Sequence, residues 1–146
     1  MIALLDVNVL VALFDPNHTL HEPAHRWFET ERESGWATCP ITENGLVRVL
    51  SNPKYPGRQT TVRDAVDRLQ SFRRSGHHDF WPDSLSLCES HRFRPVSLGS
   101  HRKLTDIYLL ALAVEKGGRL ATFDRGIPLA AVAAAESPNL TLIGSM

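Results

Sequence analysis

The chain has 146 residues, 42% of them apolar and 22% charged, which suits one soluble domain, residues 1–146, on a single core. Two cysteines, Cys39 and Cys88, are too few for a disulfide scaffold and read as reduced, buried or half-buried thiols of a cytoplasmic protein. Formal net charge is zero, no apolar run is long enough to cross a bilayer, and the start MIALLDVNVLVALF is not a signal peptide: it lacks a basic n-region and is broken by Asp6 and Asn8.

IALLD reads as a buried strand of a parallel sheet that carries Asp6 to its C-terminal edge. NVLVALFD is predicted to form a short helix, with Asp6 or Asn8 near its cap. DPNHT is a turn. A helix follows with Ala24, Trp27 and Phe28 on one face, Pro23 in its first turn and Gly35 past its end. Trp27 is expected in the core; Trp36 and Trp81 stay open between core and base stacking.

WATC is a second strand, and Thr42 is expected to cap a helix over 43–51. SNPKYPGRQ is a loop. Thr61 with Asp64 forms a capping box before a helix carrying Val62, Ala65, Val66, Leu69 and Phe72. DFWP reads as a strand end, 84–92 as a helix, and 94–98 as a strand or extended loop. LTDIYLLALAVEK is strongly helical, with Thr105 as N-cap and Gly117 closing it. GRLATFD is a strand ending at Asp124, 127–135 a short helix, and NLTLIG a final strand. Strands alternating with helices predict an α/β sandwich with a mainly parallel sheet, whose ligands bind beyond the carboxyl ends of the strands.

Charge is unevenly spread. Residues 1–47 carry seven acids against two arginines, net −5, and residues 48–74 carry seven Lys/Arg against two acids, net +5. The basic segment reads either as a phosphate-binding face or as a solvated helix surface.

HEPAH, residues 21–25, matches the H-E-x-x-H pattern of zinc peptidases. That pattern needs both histidines on one face of a continuous helix, and Pro23 between them makes this geometry doubtful. No third ligand follows at a recognisable spacing.

Four acids stand in apolar surroundings: Asp6 after IALL, Glu43 in CPITENGLVRVL, Asp106 in LTDIYLLALAV and Asp124 after LATF. Each alone is most simply a helix cap or a salt bridge; an acid among apolar neighbours needs compensation. If all four meet at one sheet edge, their mutual repulsion raises their pKa values, and a divalent cation relieves it. Oxygen-only sites suit Mg²⁺ or Mn²⁺ rather than zinc, and such a cluster can bind phosphate and activate water for phosphodiester hydrolysis.

LLDVNVLVAL, ATCPITENGLVRVLSNP and KLTDIYLLALAVEKGGRLATFDRGI together resemble a PIN-domain ribonuclease, and more closely the VapC toxin group of toxin–antitoxin pairs. The resemblance spans essentially the whole chain. It implies a three-layer α/β/α fold and Mg²⁺-dependent endonuclease cleavage of RNA, with Mn²⁺ a substitute ion. It makes Asp6, Glu43, Asp106 and Asp124 the catalytic, metal-holding acids, with Asp6 and Asp106 as direct ligands. Asn8, Thr105 and Thr122 are then partners that orient carboxylates. Arg102, Lys103 and Arg125, which flank two of the acids, are the leading phosphate contacts, ahead of Arg48, Lys54 and Arg58. The resemblance also implies a homodimer and a cognate antitoxin covering the acidic cleft. Against it stand a receiver-type signalling module, which lacks its early acid pair here, the zinc peptidase, and a non-catalytic RNA-binding PIN module, which four retained acids disfavour.

Overall fold

Three apolar residues, Ala3–Leu5, form the central strand β1, and all three are buried. In the computed structural model, which describes residues 1–94 and 99–144, four further strands join it: β2 (Trp36–Thr38), β3 (His78–Phe80), β4 (Arg119–Thr122) and β5 (Leu140–Leu142). They make one sheet in the order β3-β2-β1-β4-β5, every pair parallel. Five helices accompany it: α1 (Val7–Phe14), α2 (His21–Glu31), α3 (Pro40–Ser51), α4 (Val62–Arg73) and α5 (Leu104–Glu115).

Alternation along the strands sorts the helices into two layers. Leu4, Ala37 and Leu120 face α5, in a cluster with Ile107, Leu110 and Ala111. Ala3, Leu5, Trp36 and Ala121 face the other way, against Leu10, Phe28, Leu46 and Leu69 of α1–α4. The result is the expected three-layer α/β/α sandwich. Each fully buried Leu in such layers contributes about 1.5–3 kcal/mol. Gly45 lets α3 cross close to α1: a Cβ there would fall 2.5 Å from Val7 Cγ2.

Several local expectations are corrected. α3 begins at Pro40, not 43, and its N-cap is Cys39; Thr42 sits one turn in, where its hydroxyl accepts from the Cys39 N–H at 3.0 Å. Proline is suited to that first position, since it has no N–H to leave unpaired. Thr105 does not cap α5, which starts at Leu104 after a 3₁₀ turn over His101–Lys103. Residues 84–92 form turns instead of a helix: the Cys88 N–H bonds Ser86 Oγ at 3.1 Å, as serine side chains in competition with helix do. In 127–135 only Leu129–Ala131 makes a 3₁₀ turn, because the next residue, Val132, pairs antiparallel with Phe93. Both segments wrap α5, whose residues Ile107–Ala113 are all buried. Of the stretch predicted over 94–98, only Arg94 lies inside the described residues.

Trp36 and Trp81 belong to the core, 1% and 2% exposed, with Nε1 donating to Gly76 O and Asp79 Oδ2. Trp27, expected in the core, is half-buried beneath the Arg119 guanidinium. Cys39 is buried, but Cys88 is exposed.

Candidate active site

β1 and β4 lie side by side, with Leu5 opposite Ala121, so the next residues of both strands emerge together at the carboxyl edge of the sheet. Asp6 follows β1 and is only 5% exposed. Its Oδ1 accepts from the Val7 N–H at 2.8 Å, capping α1, and its Oδ2 accepts from Thr122 Oγ1 at 2.7 Å. Burial raises the Asp6 pKa against the pull of these two donors, and the Asp124 charge adds to the rise.

Asp124 leaves β4 two residues after Thr122. Its own N–H donates to Thr122 Oγ1 at 3.0 Å. Its Oδ1 accepts from the Gly126 N–H at 2.8 Å, and Lys103 Nζ stands 3.0 Å from Oδ2. These donors hold the Asp124 carboxyl below its usual range. Asp106 comes from the first turn of α5. Burial, the Asp6 charge and a hydrogen bond to Asp124 push its pKa up to about 7.

Asp6, Asp106 and Asp124 thus influence one another's charge. Glu43 sits apart. It lies in the first turn of α3, where its Oε2 accepts from Thr38 Oγ1 at 2.6 Å and pairs with Arg73 Nη1 at 3.2 Å. Thr38 ends β2, the strand beside β1, so Glu43 shares the sheet edge but is tied to partners of its own. Thr38 Oγ1 also lies 2.7 Å from His78 Nε2. With its single proton given to Glu43, Thr38 must accept from His78 Nε2–H, which fixes that tautomer. Burial, then the Arg73 charge, depress the His78 pKa to about 4, so the ring is neutral.

Among the described residues no three Asp, Glu, His or Cys side chains converge on one point as metal ligands. Each acid is instead satisfied by partners: Thr122 for Asp6, Lys103 for Asp124, Arg73 for Glu43. The chemistry nevertheless fits a hard divalent cation. The donors are all oxygens. Asp106 titrates near neutrality, where adjacent positive charge would ionise it fully. Asn8 Oδ1 is buried without a hydrogen-bond partner among the described residues, and Asn8 Nδ2 lies 3.5 Å from Thr122 Oγ1.

The remaining predicted residues divide. Thr122 hydrogen-bonds both Asp6 and the Asp124 backbone. Thr105 is exposed and makes no hydrogen bond to a site carboxylate among the described residues. Arg102 and Arg125 are exposed and form no ion pair among the described residues, whereas Lys103 is engaged by Asp124. Two cations of the basic segment serve structure: Arg73 pairs with Glu43, and Arg68 donates to Phe14 O while stacking over the Phe14 ring. Thr38, Arg73 and His78 were missed from sequence. Only the strand-end position of Thr38 marked any of them, since the Thr38–His78 and Glu43–Arg73 contacts span 40 and 30 residues.

HEPAH opens α2, where His21 meets the end of α1. α2 starts at His21, so Pro23 sits in its first turn, and the two histidine rings do share a face, 5.8 Å apart. Pro23 thus stands in the first turn as expected, while the shared histidine face that it made doubtful does form. No third ligand joins them among the described residues, and His21 Nδ1 is engaged by Ala12 O at 2.7 Å.

A model of the PIN domain matches residues 3–134. Ribonuclease VapC44 of Mycobacterium tuberculosis is 45% identical over 143 residues, spanning 98% of this chain and 100% of that protein. Ribonuclease VapC39 of the same organism is 45% identical over 127 residues, covering 87% of this chain and 91% of that one. The crystal structure of Mycobacterium tuberculosis VapC20, a sarcin–ricin-loop-cleaving toxin, shares the fold at a TM-score of 0.62 and 16% identity, covering 92% of this chain and 99% of that chain. With a family match over most of its length and relatives this similar end to end, the chain belongs to the PIN-domain family.

Proposed function

We propose that this chain is a divalent-metal-dependent endoribonuclease acting as the toxin of a toxin–antitoxin pair, with Mg²⁺ as the working ion and Mn²⁺ able to replace it. The observation that carries the reading is the placement of Asp6 and Asp124 at the adjoining ends of β1 and β4, joined through Thr122, with Asp106 in the first turn of α5; burial, then the Asp6 charge, lifts the Asp106 pKa to about 7. Relatives bearing the name ribonuclease, matched end to end, support the same chemistry.

In this reading Asp6 and Asp106 hold the ion directly, and Asp124 stands beside them paired with Lys103. A divalent cation there supplies charge neutralisation at the phosphate and a lowered pKa for the attacking water. Thr122 favours the ionised form of Asp6 and fixes its carboxyl by donating to Oδ2. Glu43, held through Oε2 by Thr38 and Arg73, keeps Oε1 as the oxygen that accepts a proton. Hydrolysis adds water across the P–O3′ bond: a P–O bond forms to the water oxygen and the leaving 3′-oxygen takes a proton. The products are a 5′-phosphate and a 3′-hydroxyl. The 2′-OH has no role in this step, so preference for RNA rests on shape and single-strand contacts. Arg102 and Arg125 supply phosphate contacts beside the acids.

The partners in this reading are RNA, a cognate antitoxin over the acidic cleft, and a second copy of the chain. No helix among the described residues is long and apolar enough to cross a membrane, and the site of action is the cytoplasm, where its RNA lies.

The test is cleavage of a mixed single-stranded RNA pool with Mg²⁺, with Zn²⁺ and with EDTA, comparing wild type and Asp6→Asn, alongside calorimetric titration with Mn²⁺. Cleavage that requires Mg²⁺ and Asp6 and leaves 5′-phosphates is the expected result. Cleavage in EDTA, or Mn²⁺ binding unchanged in Asp6→Asn, overturns it.

A further inference from the structure

The 3₁₀ turn just before α5 carries three basic residues in a row, His101, Arg102 and Lys103. That is the wrong end of a helix for cations: the N-terminal dipole favours anions, and here it bears Lys103 at the cap position. A placement that breaks a local rule points to a use elsewhere. Lys103 is also deliberately accommodated. Its Nζ lies 3.0 Å and 3.3 Å from the two Asp124 oxygens. Gly126 leaves the space: a Cβ there would stand 2.8 Å from Lys103 Nζ and 3.3 Å from Asp124 Oδ1. The Lys103 side chain remains 33% exposed while bound to Asp124, so the pair is not sealed in the core.

We propose that Lys103 is a resident cation of the site, standing on Asp124 where a second divalent ion would otherwise be held, so that the working protein carries one metal ion and one ammonium. The inference rests on the nuclease reading above. In phosphodiester hydrolysis two positive centres commonly share the charge of the phosphate and the leaving oxygen. An ammonium has three donors. Two are used on the Asp124 oxygens, and the third is free for a phosphate oxygen of the substrate. Lys103 then neutralises charge as it develops on that oxygen, without needing to be recruited from solvent. Glu43 is neutralised similarly by Arg73, whereas Asp6 and Asp106 form no ion pair among the described residues, which gives the one divalent ion a single address.

The experiment is isothermal titration of Mn²⁺ into the full chain, paired with single-turnover cleavage of an RNA that the wild type cuts, for wild type, Lys103→Met and Gly126→Ala. The wild type should bind one Mn²⁺. Lys103→Met should bind two and cleave about 100-fold more slowly or worse, the cost of losing a preorganised donor. Gly126→Ala keeps the charge but pushes Nζ off Asp124, and should shift in the same direction, which separates a positional role from charge alone. Two Mn²⁺ ions in the wild type overturn the proposal. So does one Mn²⁺ in Lys103→Met, whether cleavage is retained or is lost together with RNA binding, the latter marking Lys103 as an ordinary phosphate contact. A wild type that neither binds Mn²⁺ nor cleaves fails the nuclease reading itself, a result distinct from these.

Discussion

The hydroxyl of Thr122 donates to Asp6 Oδ2 at 2.7 Å across two strands whose residues lie 116 positions apart. The same oxygen accepts the Asp124 N–H, so one side chain orients two of the acids. Thr122→Val keeps the shape and removes the donor. A hydrogen bond to a buried charged group is worth about 1.5–3 kcal/mol. Urea unfolding of Thr122→Val in EDTA should show a loss of that size at pH 7, with cleavage strongly reduced. Unchanged stability would mean that Asp6 is not held by this bond.

Asp106→Asn should make the metal-free protein more stable while abolishing cleavage. The sign follows from its raised pKa of about 7 against the ordinary aspartate value of 3.8. The folded state binds the proton more tightly, so wild-type stability falls as pH rises from about 4 to 7. Above that window the penalty is complete, and asparagine escapes it. Thermal unfolding in EDTA should show the variant ahead at pH 8, with the advantage shrinking by pH 5. A variant that is less stable at pH 8 would make Asp106 a structural group rather than a crowded ligand.

Both of these sites were legible because their signals are local. IALL and LATF each deliver an acid from an apolar strand, and parallel pairing brings strand ends together. The sandwich was legible for the same reason: strand and helix periods alternate cleanly. What escaped was set by distance in the chain. Glu43 looked like a fourth member of the cluster, but Arg73 and Thr38 hold it separately, and no local pattern announces a contact from α4. The helix expected at 127–135 failed because Val132 pairs with Phe93, and the one at 84–92 because Ser86 draws a backbone N–H out of the helical pattern. Both segments pack against α5.

His78→Gln tests the outer relay. Its pKa is depressed from 6.5 to about 4 by burial and Arg73. The unfolded chain therefore binds the proton more readily between those values, and the stability contributed by neutral His78 is present above pH 6.5 and lost as pH falls toward 4. Glutamine can still donate to Thr38 but does not titrate. Relative to wild type, His78→Gln should gain stability progressively from pH 6.5 down to 4.5 in denaturant titrations. A constant offset across that range would show that His78 is not kept neutral by the fold. Asp106 acts in the opposite sense in the same window, so the comparison must be between variant and wild type at each pH.

His21→Ala should leave cleavage and its Mg²⁺ requirement unchanged, and should cost stability. Ala12 O is among the last carbonyls of α1, which have no partner within the helix. The His21 ring sits 2.7 Å away and, facing a pure acceptor, must present Nδ1–H to it. The histidine that begins HEPAH is thus a cap for the neighbouring helix. Losing it leaves a buried carbonyl unsatisfied, at about 1–3 kcal/mol. Unfolding curves should show that loss while the cleavage rate holds. If cleavage disappeared in a folded His21→Ala protein and Zn²⁺ binding went with it, the metal chemistry would belong to HEPAH and not to the carboxylates.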